Sequence, residues 1–393
     1  MKRINNIYNQ ILDIKVIENI YKKIKTNTKN KTKIEKFEDY YVENIINIKN
    51  IISLKKYKFD KYSIFIIKEP KLRLIMSQTI KDKLINHIIS EYFLVRIFDK
   101  TLINENIATR KNKGTHYGIK LLKKYLNEIK YKNFYILKFD ISKYFFNIDH
   151  EILKKLIRKK IKDKDVLNVL DLIIDSTNYS YINEEINKLK IKDLPNYKKG
   201  KGLPIGNMSS QIFAIIYLNE LDHYIKENLK IKYYIRYMDD GIILHENKEY
   251  LKYCLKEIEK IVKKYELELN NKTCILNIKQ GFEFLGFKYY IKNNKVLMKV
   301  KNQTKRKFKR KMKKLNNLLN ENKISEKKVK QVKDSYLGHL SYGNTNNLIY
   351  KELKKYIKSI NIGQEVRIIN ENVIYMSKRI KKLKKNTFIK KIC

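Results

Sequence analysis

Apolar residues along the chain recur at two spacings, three to four apart and two apart. Ile4, Ile7, Ile11 and Leu12, and later Tyr41, Ile45, Ile46 and Ile48, follow the first and predict helices. Between them Lys25 to Lys36 is rich in Lys, Asn and Thr and is expected to be a solvated connector. Tyr62 to Ile67 reads as a strand, Arg73 opens a second one beyond Pro70, and an amphipathic helix starts at Thr79. Phe134 to Phe139 is a short apolar run that ends at Asp140. Residues 151–190 read as helices, and an apolar helix runs from Ser209. Tyr233 to Leu244 (YYIRYMDDGIIL) has the pattern of a β-hairpin, followed by an amphipathic helix over Leu251 to Tyr265. Phe282 to Tyr290 places aromatic residues at alternating positions around Gly286. Helices are predicted to Asn320 from the basic run that begins at Lys301, over Glu326 to Leu340 and over Leu348 to Ile360, with a strand over Glu365 to Tyr375. Helices mixed with short antiparallel strands make an α+β protein.

The hairpin carries the most informative chemistry. Asp239 and Asp240 sit side by side at its tip, with Gly241 expected to relax the backbone, and adjacent like charges are costly unless a cation lies beside them. Hard divalent ions such as Mg²⁺ take carboxylate oxygens. Asp140, delivered at the end of its own strand, supplies a third ligand candidate. One Asp after a strand and an Asp pair in a hairpin is the set that two-metal nucleotidyl transfer needs. Asp149 opens a helix and reads as its N-cap instead.

Charge narrows the partner. The 393 residues hold 88 Lys and Arg against 41 Asp and Glu, a net charge of +47, which points to a polyanion such as nucleic acid. Abundant Lys, Asn and Ile with scarce Ala, Gly and Pro is the pattern of AT-rich coding, but that bias alone need not unbalance the charges. Three cysteines without CxxC spacing argue against a zinc site or a disulfide framework. No apolar run approaches the roughly 20 residues that span a bilayer. The amino terminus has no signal-peptide core, so a soluble cytoplasmic protein without a membrane partner is expected.

YMDD within an apolar hairpin resembles the central palm motif of reverse transcriptases, and FDISKYFFNIDHEIL resembles the motif that brings their other catalytic Asp. The resemblance implies a right-hand polymerase fold with fingers, palm and helical thumb. Mapped on the chain, it gives amino-terminal helices and fingers over 1–135 and a palm over 136–300 with a helical insertion near 151–200. A helical thumb over 301–360 and a basic tail over 361–393 complete it. It also implies an RNA-directed DNA polymerase that uses two Mg²⁺ ions held by Asp140, Asp239 and Asp240, with Mn²⁺ as a substitute. Its partners would be an RNA template and primer, dNTPs and a DNA product.

Other motifs extend the likeness. Arg73 matches a basic fingers residue that meets the incoming triphosphate, and Phe145, five places after Asp140, matches the aromatic residue that excludes a 2′ hydroxyl. Tyr144, its neighbour, is expected in the core. Lys272 matches a lysine near the triphosphate that serves as a general acid. Arg110, Lys111 and Lys113, ahead of a helix starting near Thr115, resemble a fingers segment that binds nucleic-acid phosphates. Phe284, Leu285 and Gly286 resemble the primer grip. Lys305, Arg306 and Arg310 lie on the basic face expected to follow the template and primer duplex.

Gly200, Gly202, Pro204 and Gly206 crowd the front of the apolar helix, where small residues let the backbone approach a base pair. Ile205-Gly206 followed by Ser210-Gln211 resembles the branch found in diversity-generating retroelements, close to the group II intron enzymes. In that branch an aliphatic residue at the place of Ile205 accompanies poor fidelity opposite template adenines. The chain has no Cys/His nuclease pattern, maturase-like extension, retron signature or ribonuclease H carboxylate set. A defence-associated enzyme remains the alternative, making DNA from a noncoding RNA or without a template in antiphage immunity, with a small accessory protein as a further partner. A noncatalytic RNA-binding protein is the third reading, against which the complete aspartate set argues.

Overall fold

The computed structural model describes residues 3–68, 72–191 and 194–345. They form two compact units, one reaching to Gly281 and the other comprising Phe282–Lys292 and the chain from Val296. The predicted helix at Leu348 to Ile360, the strand at Glu365 to Tyr375 and the basic tail lie outside the described residues.

In the first unit, helices α1 (Ile14–Asn27), α2 (Lys31–Glu38) and α3 (Tyr41–Ser53) precede a two-stranded antiparallel ribbon of β1 (Ser63–Ile67) and β2 (Arg73–Ser77). The sequence expectation fails here at two points. Ile4 to Leu12 is no continuous helix: the Ile4 amide and carbonyl bond to Lys160 and Lys162, and the Asp163 carboxylate accepts from the Ile7 and Tyr8 amides. Only Tyr8–Ile11 coils, as a short 3₁₀ helix, and the residues before it are held by a distant segment. The supposed connector at Lys25 to Lys36 contains most of α2, because Asn30 accepts from the Lys33 amide and caps it while Ile34 and Phe37 become buried.

Thr79 caps α4 (Ile80–Ile89) through the Asp82 amide, and α5 (Thr115–Ile129) follows Gly114. A four-stranded antiparallel sheet comes next, in the order β4 (Tyr233–Tyr237), β5 (Asp240–His245), β3 (Tyr135–Asp140), β6 (Cys274–Asn277). One side of it is covered by apolar residues of α6 (His150–Arg158), α7 (Lys164–Ile174), α9 (Met208–Tyr217) and α10 (Lys248–Lys264), whose Leu251, Cys254, Ile258 and Val262 share a core with Leu137, Phe139 and Ile243. α8 (Ser180–Lys188) packs with the β1–β2 ribbon in a smaller core around Tyr62, Leu74 and Met76. Asp149 caps α6 by accepting from the Ile152 amide, as the sequence predicted.

The second unit has a three-stranded sheet of β7 (Phe282–Phe284), β8 (Phe287–Lys292) and β9 (Lys295–Val300), then α11 (Asn302–Asn320) and α12 (Glu326–Leu340). Phe308 of α11 packs on Tyr336 of α12 at 5.2 Å between ring centres. The hairpin with Leu285-Gly286 therefore groups with the helical unit and not with the four-stranded sheet.

Candidate active site

Pairing within the sheet brings the three aspartates together. β3 and β5 run antiparallel with Asp140 opposite Asp240, so their Cβ atoms are about 5 Å apart. β4 and β5 close on the two-residue turn Met238-Asp239, and the Ile141 amide donates to the Asp239 carbonyl at 3.3 Å. The turn's strain falls on Met238, at φ +57°, in the left-handed region that side chains disfavour. Gly241, expected to relieve the backbone, sits inside β5 and answers a different need. A Cβ there would overlap the buried ring of Phe139 on the neighbouring strand.

Electrostatics favour a cation at this turn. Desolvation pushes the Asp240 carboxyl up to about 6, Lys138 opposing and Asp140 and Asp239 adding to the rise. Asp239 is raised as well, first by desolvation and then by Asp140 through charge and a hydrogen bond. Asp240 Oδ1 is buried with no hydrogen bond, the Lys138 ammonium standing 3.6 Å away. Among the described residues no three Asp, Glu, His or Cys side chains close into a ready metal cage. Mg²⁺ is held in general by one or two carboxylates, with waters and substrate phosphates completing its shell. Raised, partly unsatisfied carboxylates fit such an ion.

Around the aspartates the structure gathers several of the sequence candidates. The Asn270 amide donates to the Asp140 carbonyl at 2.7 Å, and the exposed Lys272 follows on that turn. Tyr144 is buried with its hydroxyl on the Ala214 carbonyl, while Phe145 is half-buried and its carbonyl accepts from the Leu203 amide. The Leu203–Gly206 segment in turn meets β2: the Met76 amide donates to the Ile205 carbonyl at 2.9 Å. Gly206 has φ +139°, and a Cβ on it would lie 2.5 Å from the Met76 carbonyl oxygen, so glycine is required. Arg73, exposed, begins the same strand, and Gln211 is exposed on α9.

Two candidates are corrected. Arg110 is turned inward, 7% exposed, with its guanidinium donating to the Asp99 carboxylate and to the carbonyls of Asp99, Ile103 and Asn106. It braces its loop; Lys111 beside it is exposed, and the Lys113 ammonium reaches the carbonyl and side chain of Asn104. Phe284 is 1% exposed and belongs to the core of its own unit. In that hairpin Leu285 and Gly286 form the left-handed turn, at φ +48° and +85°, with Gly286 exposed. On α11, Arg306 and Arg310 are exposed and face away from buried Phe308 and Leu315, whereas half-buried Lys305, three places before Phe308, lies on the covered side.

Residues 54–289, from the end of α3 into β8, match the reverse transcriptase (RNA-dependent DNA polymerase) family. The chain belongs to the reverse transcriptase family. The matched residues include the whole four-stranded sheet and the three aspartates at its end. A putative COX1/OXI3 intron 1 protein of Saccharomyces cerevisiae is 23% identical over 232 residues, 58% of this chain and 26% of that protein. The group II intron-encoded protein LtrA of Lactococcus lactis is 28% identical over 163 residues, 42% of this chain and 24% of LtrA. The chain thus spans about a quarter of the length of these curated relatives. Among solved structures, apo telomerase from Candida tropicalis aligns with a TM-score of 0.43 at 16% identity, over 63% of this chain and 48% of that one. Telomerase from Candida albicans, in complex with a fragment of telomeric RNA, gives 0.42 at 13%, over 64% and 46%.

The sequence reading missed Lys138 and Arg236, both of which the structure places beside the turn that carries the aspartate pair. Lys138, two residues before Asp140, could have been found from the period-two alternation of its strand; Arg236, three before Asp239, had no such signal.

Proposed function

We propose that this reverse transcriptase family member is an RNA-directed DNA polymerase that copies a structured RNA by two-metal nucleotidyl transfer. The observation that carries the reading is the meeting of Asp140 with Asp239 and Asp240 at one end of the palm sheet. These three carboxylates would hold a pair of Mg²⁺ ions, or Mn²⁺ in their place. When bound, the ions would supply charge for the attacking 3′ oxygen and the leaving pyrophosphate.

The chain's own groups do the rest. Arg73 meets the incoming triphosphate, and Lys272, on the turn hung from the Asp140 carbonyl, gives a proton to the leaving pyrophosphate. Phe145 packs under the deoxyribose and leaves no room for a 2′ hydroxyl. Ile205, Gly206 and Gln211 line the nascent base pair. Lys111 and Lys113 neutralise template phosphates. In the second unit, Leu285 and Gly286 steady a primer strand, and Lys305, Arg306 and Arg310 present positive charge to the duplex.

Primer extension on an RNA template with dNTPs and Mg²⁺ tests this directly. Asp239→Asn should abolish extension while RNA affinity stays within about twofold, since the basic surfaces are unchanged. Undiminished extension by the variant would remove the metal site from the argument. Within the family we place the chain in the retroelement branch on Ile205-Gly206 and Ser210-Gln211, with poor fidelity at template adenines as the expected signature. A template repeat with a near-copy in a neighbouring gene supports that placement; an isolated operon with a noncoding RNA would instead favour the antiphage role.

A further inference from the structure

Beneath the catalytic turn lies an arginine that the nucleotidyl-transfer reading leaves unused. Arg236 is on β4, three residues before Asp239, and both it and its partner Asp222, on the short helix Asn219–His223, are fully buried. The guanidinium meets the carboxylate through two nitrogens: Nε donates to Asp222 Oδ1 at 2.7 Å and Nη2 to Oδ2 at 2.6 Å. Nη2 also donates to the Ile215 carbonyl at 3.1 Å. The remaining contact points at the reaction: Nη1 donates to the Met238 carbonyl at 2.6 Å. That carbonyl belongs to the peptide that joins Met238 to Asp239. Its residue holds φ +57°, a conformation a methionine does not keep without help.

The anchor is itself fixed. The Tyr234 hydroxyl donates to Asp222 Oδ1 at 2.7 Å and Asn106 Nδ2 donates to Oδ2 at 3.1 Å, so the carboxylate has no freedom to turn. Asn106 lies in the loop braced by Arg110, whose Nη1 donates to the Asn106 carbonyl at 3.0 Å. The Arg236 amide donates to the Glu105 carbonyl and its carbonyl accepts from the Ile107 amide. An unbroken set of bonds therefore runs from Arg110, beside the basic Lys111 and Lys113, to the peptide that aims Asp239. A buried arginine fork is suited to this because its donors are planar and preset, and an ammonium cannot serve the same acceptors at once.

We infer that Arg236 is a positioning residue for nucleotidyl transfer: clamped by Asp222, it holds the Met238 carbonyl and so fixes the direction of the Asp239 carboxylate. The inference rests on the polymerase reading for its kinetic consequence, but not for its consequence on metal binding.

Arg236→Lys is the variant of choice, since it keeps a cation beside Asp222 and avoids leaving a buried carboxylate alone. It should remain folded, bind template RNA as the wild type does, and lose kcat by about 10²-fold, the cost of roughly an ångström of misplacement. The KM for dNTP should move by less than about threefold, because the loss is confined to the transition state. Titration calorimetry of the chain with Mn²⁺ alone should show weakened binding. Adding Met238→Gly to Arg236→Lys should restore part of kcat, because glycine holds a left-handed turn unaided. A folded Arg236→Lys protein with unchanged kcat and Mn²⁺ affinity overturns the inference, as does the absence of any recovery in the double variant. If Arg236→Lys does not fold, Asn106→Ala decides: removing one bond to Asp222 should lower both kcat and Mn²⁺ affinity, and wild-type values for both would reject the role. Should the wild type itself fail to extend primers, weakened Mn²⁺ binding in the variant would uphold the positioning role while the polymerase reading falls.

Discussion

Asp240 is ionised at a cost in this fold. Its folded value of about 6 lies above the ordinary aspartate value of 3.8, so the folded chain holds this proton more tightly than the unfolded chain does. The stabilisation that this gives is complete below the unfolded value, fades as pH rises and is gone above about 6. A divalent ion needs the ionised form and offsets the cost when it binds. Mg²⁺ should therefore raise the melting temperature at neutral pH, and the rise should shrink as pH falls below about 6. An equal rise at pH values well below and well above that point would mean that the ion binds elsewhere. At Phe145 the expectation concerns shape. Phe145→Ala should let ribonucleotides compete, raising their kcat/KM relative to deoxynucleotides by at least about tenfold, some 1.4 kcal/mol of discrimination. Steady-state kinetics with paired dCTP and CTP would show it, and an unaltered ratio would take Phe145 out of sugar selection.

At the scale of elements, β3 and β5 are fitted to each other through a ring and a gap. Phe139 lies over Gly241, and its other contacts include Tyr234, stacked at 6.5 Å. Gly241→Ala should cost about 1–3 kcal/mol by overpacking and should push β5 from β3, pulling Asp240 from its place opposite Asp140. Chemical denaturation and Mg²⁺-dependent melting, measured together, should both worsen; a variant as stable as the parent would show that the sheet yields without strain. The same strands show what the sequence makes legible. Period-two apolar runs and a turn acid pair located β3, β4 and β5 because those strands are built from local alternation. The inward turn of Arg110 was hidden because its partners, Asp99 and three carbonyls, are set by a loop with no pattern of its own. Phe284 misled for the opposite reason: alternating aromatic residues mark a half-buried strand, and which face is covered depends on α12, whose His339 packs on Phe287 from far along the chain. The helix α2 was missed because only two apolar residues, Ile34 and Phe37, mark it within a run of lysines.

For the molecule as a whole, the charge surplus bears on the proposed hold on nucleic acid. With 88 cationic side chains against 41 acidic ones, the logarithm of RNA affinity should fall with that of salt by about 0.7 to 0.9 for each phosphate neutralised. Filter binding across a salt series would measure it, and a flat response would mean that the surplus does not face the ligand. Among the described residues no helix is long and apolar enough to cross a membrane. The hydrogen bond between the Met76 amide and the Ile205 carbonyl has a mechanical meaning on this scale. It ties together two segments that lie more than a hundred positions apart in the chain, and the close approach of Gly206 to the Met76 carbonyl tightens the joint, so a ligand that displaces the Ile205–Gly206 turn must displace β2 with it.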